Sequence, residues 1–140
     1  AGDMAALTQE KHTSIVVSAS PGTIIGSREL LRRALFNLVE NAVKYGPEGG
    51  QVQLSASLEG ETAIITVADQ GPGIPQELRE RVFEPFFRVD SARSRQLGGT
   101  GLGLALVRAI AELHGGSVSV EEVPTGGTSF FLKIPVVTST

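Results

Sequence analysis

The pattern of apolar and polar positions changes period several times along the chain. In HTSIVVSAS, Ile15 and Val17 fall on alternate residues, the rhythm of a strand with one buried face. Pro21-Gly22 turns the chain, and TIIG (23–26) is a second short apolar run. From Ser27 to Tyr45 the spacing becomes helical. At about 100° per residue, Leu31, Leu35, Leu38, Val39, Ala42 and Val43 form one arc. Ser27 is placed to cap this helix, Glu29 sits where the dipole favours a carboxylate, and Gly46-Pro47 ends it. QVQLSASLEGETAIITVAD then alternates on both sides of Glu59-Gly60-Glu61, which predicts a hairpin.

The next stretch, Gln70 to Gly99, has little periodicity beyond a helical turn or two around Gln76 to Val82. Irregular segments longer than about 15 residues in a compact domain are usually lids or disordered. Glycines at both ends of this one favour a lid. Thr100 to His114 is again helical and stops at Gly115-Gly116. SVSVEEV and TSFFLKIPV predict two last strands, separated by Thr125-Gly126-Gly127. The order is strands, helix, hairpin, lid, helix, strands. It predicts an α+β fold: a two-layer α/β sandwich with a mixed, mostly antiparallel sheet and about three helices on one face. We expect residues 1–10 to be a linker or the end of a preceding helix, 11–137 the domain, and 138–140 a tail.

Composition narrows the function. Of 140 residues, 41% are hydrophobic and 19% charged, which is globular and not disordered. A net charge of -3 gives no broad nucleic-acid footprint. The absence of Cys excludes disulfides and thiolate zinc sites. No apolar run approaches the roughly 18 residues of a membrane span.

Three stretches carry chemistry. In FNLVENAVKYG, Asn37, Asn41 and Lys44 share the side of the helix opposite the apolar arc. A solvated face explains them, but such faces usually carry Glu, Lys and Arg, which are better helix formers than Asn. Amide oxygens in register also suit a hard cation such as Mg²⁺ bridging to phosphates. Lys44 would then meet a phosphate, and Tyr45 would offer a ring to a base. In VADQGPGIP, Asp69 ends a strand, and Gly71 and Gly73 allow close backbone approach. A carboxylate only accepts hydrogen bonds, so it suits the amine of adenine and mismatches the carbonyl of guanine. An Asx-turn explains the same Asp. In GGTGLGLALV, glycines open a helix whose N–H groups would face an anion, although a hinge is the alternative. There is no GxxxxGK[ST]. Neither glycine cluster makes GxGxxG, since position 76 is Gln and positions 104 and 106 are Leu.

Together these stretches resemble the catalytic, ATP-binding domain of bacterial sensor histidine kinases, within the gyrase, chaperone, kinase and mismatch-repair ATPase superfamily. NLVENAVKYG resembles the N box, DQGPGIP the first glycine box, FEPFFRVD the phenylalanine box and GGTGLGLALV the second glycine box. HGGSV and GGTSFFLKIP resemble the closing strands, so the likeness runs from about Ser27 to Pro135. The resemblance implies the Bergerat-type sandwich, with ATP and Mg²⁺ as ligands. It implies that Asn41 and Asn37 hold Mg²⁺, that Lys44 contacts a phosphate, and that Tyr45 and Thr128 lie near the adenine. Asp69 takes the adenine amine, and Gly71, Gly73 and Ile74 line the base pocket. Phe83, Phe86 and Phe87 anchor the lid, from which Arg93 or Arg95 reaches the γ-phosphate. Gly99, Thr100, Gly101, Leu102, Gly103 and Leu104 wrap the phosphates. Asn37, Lys44 and Arg95 are the expected catalytic residues.

Two departures matter. Gyrase- and chaperone-like ATPases carry a water-activating Glu where this chain has Asn37, so the resemblance favours phosphoryl transfer over hydrolysis. The family's acceptor histidine lies in a motif like HELRTPL on a separate helical domain. Neither His12 nor His114 has that context. His114 reads as a C-terminal cap. The implied partners are a histidine-bearing dimerisation domain and, through it, a response regulator, with no nucleic acid or membrane contact by this domain. The implied setting is cytoplasmic, the parent protein standing in a bacterial inner membrane. A gyrase-like ATPase, a nucleotide-gated interaction module and an anti-sigma-factor serine kinase are the alternatives.

Overall fold

A computed structural model describes residues 14–19, 27–47, 49–71, 73–87, 102–122 and 126–135. The strands are β1 (Ser14–Ala19), β2 (Gln51–Glu59), β3 (Thr62–Asp69), β4 (Ser117–Glu122) and β5 (Thr128–Pro135). The helices are α1 (Arg28–Tyr45) and α2 (Gly103–Leu113), with two 3-10 turns at Gln76–Leu78 and Arg81–Phe83. The five strands form one sheet in the order β1-β2-β3-β5-β4. Only β1 and β2 run parallel; the other neighbours are antiparallel. The mixed, mostly antiparallel sheet is therefore as expected. Two α-helices and two single turns stand where about three helices were expected, among the described residues.

Strand alternation builds the core. Along β3, Ala63, Ile65, Val67 and Asp69 are buried and the residues between them are not. Their partners on β5 are Ile134, Leu132, Phe130 and Thr128, and Val120 of β4 joins the same row opposite Phe130. On the helices, Ala34, Leu38, Val39, Ala42 and Val43 of α1 and Val107, Ile110 and Ala111 of α2 complete this core. Ala34 is fully buried although the sequence arc did not include it, and Leu31 and Leu35 are only partly buried beside the core.

The two helices pack against each other and are tied twice. The Ser27 N–H donates to His114 Nε2 at 3.0 Å, where α1 begins and α2 ends. Asn37 Nδ2 donates to the Gly103 carbonyl at 3.4 Å, where α2 begins. The helices thus run antiparallel. Ser27 also caps α1 by accepting from the Leu30 N–H, with Glu29 in the first turn as expected. The second helix is described from Gly103, with Leu102 as its cap; Thr100 and Gly101 lie outside the described residues. Residues 1–13, the run TIIG and the tail 138–140 lie outside the described residues, as do the linker and tail boundaries expected for them. Among the described residues no helix is long and apolar enough to cross a membrane.

Candidate functional site

Asp69 is the last residue of the core-facing row of β3. It occupies the place of an apolar side chain and is only 8% exposed. Its Oδ1 accepts the Gly71 N–H at 2.7 Å, so the Asx-turn is present. Among the described residues no cation pairs with it. Burial therefore raises its pKa from 3.8 to about 6, against the smaller lowering by the Gly71 N–H. Keeping a carboxylate here costs stability. A short turn alone does not need it, because an Asn would form the same Asx-turn without a charge.

The surroundings are shaped by close backbone approach. Thr128 lies directly opposite Asp69 on β5 and is buried. Before it, Gly127 has φ +115°, and a Cβ there would stand 2.3 Å from the Asp69 carbonyl oxygen. Only glycine fits, so the Gly126-Gly127 turn brings β5 against the end of β3. On the other side, Ala42 and Gly46 of the α1 terminus, with Gly50, Val52 and Gln70, line a shallow recess beside Asp69. Gly73 has φ +82°, and the partly buried Ile74 packs on the core just after it. Of the expected base-pocket residues, Asp69 meets Gly71 through a hydrogen bond and Thr128 across the sheet, while Gly73 and Ile74 follow in the same loop.

The polar row of α1 takes shape as well. Asn37, Asn41 and Lys44 are each partly exposed. Lys44 Nζ lies 3.5 Å from Glu40, one turn earlier. The Gly103 carbonyl requires a donor, so it faces the Asn37 amide nitrogen and leaves the amide oxygen as Asn37's acceptor. This contact brings the row onto the start of α2. Leu102 is exposed, Gly103 is the first helical residue, and Leu104 turns partly into the core. Among the described residues there is no cluster of three His, Asp or Glu to hold a metal. Any hard cation would depend on amide oxygens together with a ligand's own oxygens.

The rest of the expected site divides. Gly99, Thr100, Gly101, Arg93 and Arg95 lie outside the described residues, as does the Tyr45 side chain. Phe83 is buried and meets the fully buried Phe130 edge-on, centroids 6.2 Å apart. Phe87 is partly buried, with the Arg81 guanidinium 4.7 Å above its ring. Phe86, unlike Phe83, is 70% exposed and has φ +66°, and the part of the lid beyond Phe87 that it was expected to anchor lies outside the described residues. Sequence reasoning missed Arg79 and Glu122. Arg79 Nε donates to the Ile74 carbonyl at 3.2 Å, and Nη2 lies 3.7 Å from Glu122. Their separation in sequence hid the pair. His114 donates from Nδ1 to the Ile110 carbonyl at 2.8 Å and is the cap expected of it, with the added tie to Ser27.

This arrangement joins a buried carboxylate in a glycine-walled recess to an amide row against a helix start. Residues 26–138 match the family described as histidine kinase-, DNA gyrase B-, and HSP90-like ATPases, and the chain belongs to it. It is 47% identical to the sensor-like histidine kinase SenX3 of Mycolicibacterium smegmatis over 123 residues, covering 87% of this chain and 32% of that protein. The chain thus spans about a third of that relative's length. Its fold is similar to the mycobacterial sensor histidine kinase MprB, with TM-score 0.82 and 30% identity over 99% of this chain and 92% of that one. It is also similar to full-length ShkA in complex with AMPPNP, with TM-score 0.83 and 35% identity over 99% of this chain and 29% of that one.

Proposed function

We propose that this domain binds Mg-ATP and delivers its γ-phosphoryl group to a histidine on a separate helical domain. The observation that carries the reading is Asp69: a carboxylate buried at the end of a core row, with no cation beside it among the described residues. Such a group costs stability unless a ligand uses it. The exocyclic amine of adenine supplies the missing donor. The guanine carbonyl would set two acceptors against each other.

The remaining residues follow from that placement. Gly71, Gly73 and Ile74 would bring backbone and one apolar side chain to the base, with Thr128 beside the carboxylate; Tyr45 is proposed as a further base contact. The amide oxygens of Asn37 and Asn41 fit a hard cation that keeps several waters. Mg²⁺ bound there would neutralise phosphate charge. Lys44, now near Glu40, is the point charge for a phosphate. The start of α2, with Gly99 to Leu104, surrounds the phosphate oxygens through its N–H groups. Arg95 is the proposed lid contact to the γ-phosphate.

In the transfer, the lone pair of the acceptor imidazole nitrogen forms the bond to the γ-phosphorus. The bond to the β–γ bridging oxygen breaks, and ADP leaves. Positioning and charge neutralisation account for most of the rate in such reactions. Asn37 does not serve as a hydrolytic base: its amide is not basic, and its nitrogen is turned to Gly103. We place the domain in a parent sensor kinase, on the cytoplasmic side of a bacterial inner membrane, passing phosphate onward to a response regulator.

The test is phosphate transfer from γ-labelled Mg-ATP to a supplied acceptor domain of the parent kinase. Label on the acceptor, lost in acid and kept in base as a phosphoramidate requires, supports the reading. ATP binding with persistent failure to transfer opposes it. Steady phosphate release without an acceptor would instead support a gyrase-like ATPase.

A further inference from the structure

Arg79 is absent from the roles assigned above, yet it touches the proposed base pocket from behind. It ends the first 3-10 turn, five residues beyond Ile74. Its Nε donates to the Ile74 carbonyl at 3.2 Å. Its Nη2 lies 3.7 Å from Glu122 Oε2 at the end of β4. Glu122 also packs on Gly73, because a Cβ at Gly73 would come within 3.2 Å of its Cγ and Oε1. Across the sheet, Glu122 is the register partner of Thr128, and Thr128 is the partner of Asp69.

These contacts close a loop. It runs from Asp69 through Thr128 and Glu122 to Arg79, and back through the Ile74 carbonyl to the glycine turn. We infer that Arg79 and Glu122 are positioning residues for the base: they hold the Gly71–Ile74 turn at a fixed height above Asp69 and so set nucleoside affinity. The inference rests on the proposed role of that turn in adenine binding.

Magnitudes indicate which contact matters more. The ion pair is partly in water, with side-chain exposures of 28% for Arg79 and 54% for Glu122. An exposed pair contributes little by itself. The hydrogen bond to Ile74 is partly buried and acts directly on the turn. Glu122 then serves to aim the guanidinium. Only Arg has the planar fork to serve a carbonyl with Nε and a carboxylate with Nη2 together; a Lys ammonium is a single point.

The experiment is calorimetric titration of ATP and of adenosine into the whole chain, for the wild type, Arg79→Ala, Arg79→Lys and Glu122→Gln. Thermal melting of each variant accompanies it. We expect Arg79→Ala to weaken both ligands by the same factor, roughly tenfold. Arg79→Lys and Glu122→Gln should each lose about threefold and melt within a few degrees of the wild type. Equal loss for adenosine and ATP locates the effect at the base end; a general loosening of the fold would not single it out. If Arg79→Lys and Glu122→Gln bind both ligands as the wild type does, the inference is overturned and the clamp is only structural. A loss confined to ATP also overturns it, because the effect would then lie at the phosphates. If the wild type binds neither ligand, the adenine reading itself fails, and the clamp with it.

Discussion

Ser27 and His114 are 87 residues apart in sequence and joined by one hydrogen bond, from the Ser27 N–H to His114 Nε2. The other ring nitrogen donates to the Ile110 carbonyl. The imidazole accepts on one side and donates on the other, fastening the start of α1 to the end of α2. The Asn37–Gly103 contact fastens the same helices at the site end.

Removing this strut should loosen the pair. His114→Ala leaves the Ser27 N–H and the Ile110 carbonyl without their ring partner. Urea unfolding should show a loss of about 1–2 kcal/mol, with an unchanged slope. His114→Gln, which keeps an acceptor, should recover part of it. An unchanged midpoint in His114→Ala would remove the strut from the account.

Asp69 makes a stability prediction with a definite sign. Its folded pKa is raised, from 3.8 to about 6, by burial. The folded state thus holds the proton more tightly than the unfolded chain. The associated stability is complete below pH 3.8 and is lost as pH rises through about 6. Asp69→Asn removes the buried charge and keeps an oxygen for the Gly71 N–H. At pH 8 the free variant should be more stable than the wild type by about 1–3 kcal/mol. The difference should vanish near pH 3.5. Melting curves across this range check it. A variant less stable at pH 8 would show that the carboxylate supports the fold and is not kept for a ligand.

The amide row predicts a metal dependence. In EDTA, wild type and Asn41→Ala should bind ADP alike. Added Mg²⁺ should tighten ADP binding to the wild type by tenfold or more, and to the variant by much less, a difference of about 1–2 kcal/mol. Titration with and without Mg²⁺ decides this. Equal Mg²⁺ enhancement in both proteins would take Asn41 out of the proposed metal site.

Much of the fold was legible in the sequence because its signals are local. Period-two alternation gave β2 and β3 with the Gly60 turn between them, and helical spacing with Ser27 and Gly46 bounded α1. Asp69 was legible as the end of β3, because Gly71 and Gly73 follow it at once. The ties were not legible. Ser27–His114, Asn37–Gly103 and Arg79–Glu122 join residues that no period relates, and each depends on where the sheet and helices pack. The resemblance groups Phe83, Phe86 and Phe87, but only the folded backbone shows that Phe83 is buried and Phe86 exposed.

The most direct test of the account is titration of Mg-ATP and Mg-GTP into the wild type and Asp69→Asn. The account predicts that the wild type binds ATP at least tenfold more tightly than GTP, and that the substitution abolishes ATP binding while the protein stays folded. Equal binding of ATP by wild type and Asp69→Asn, or equal binding of ATP and GTP by the wild type, would contradict it.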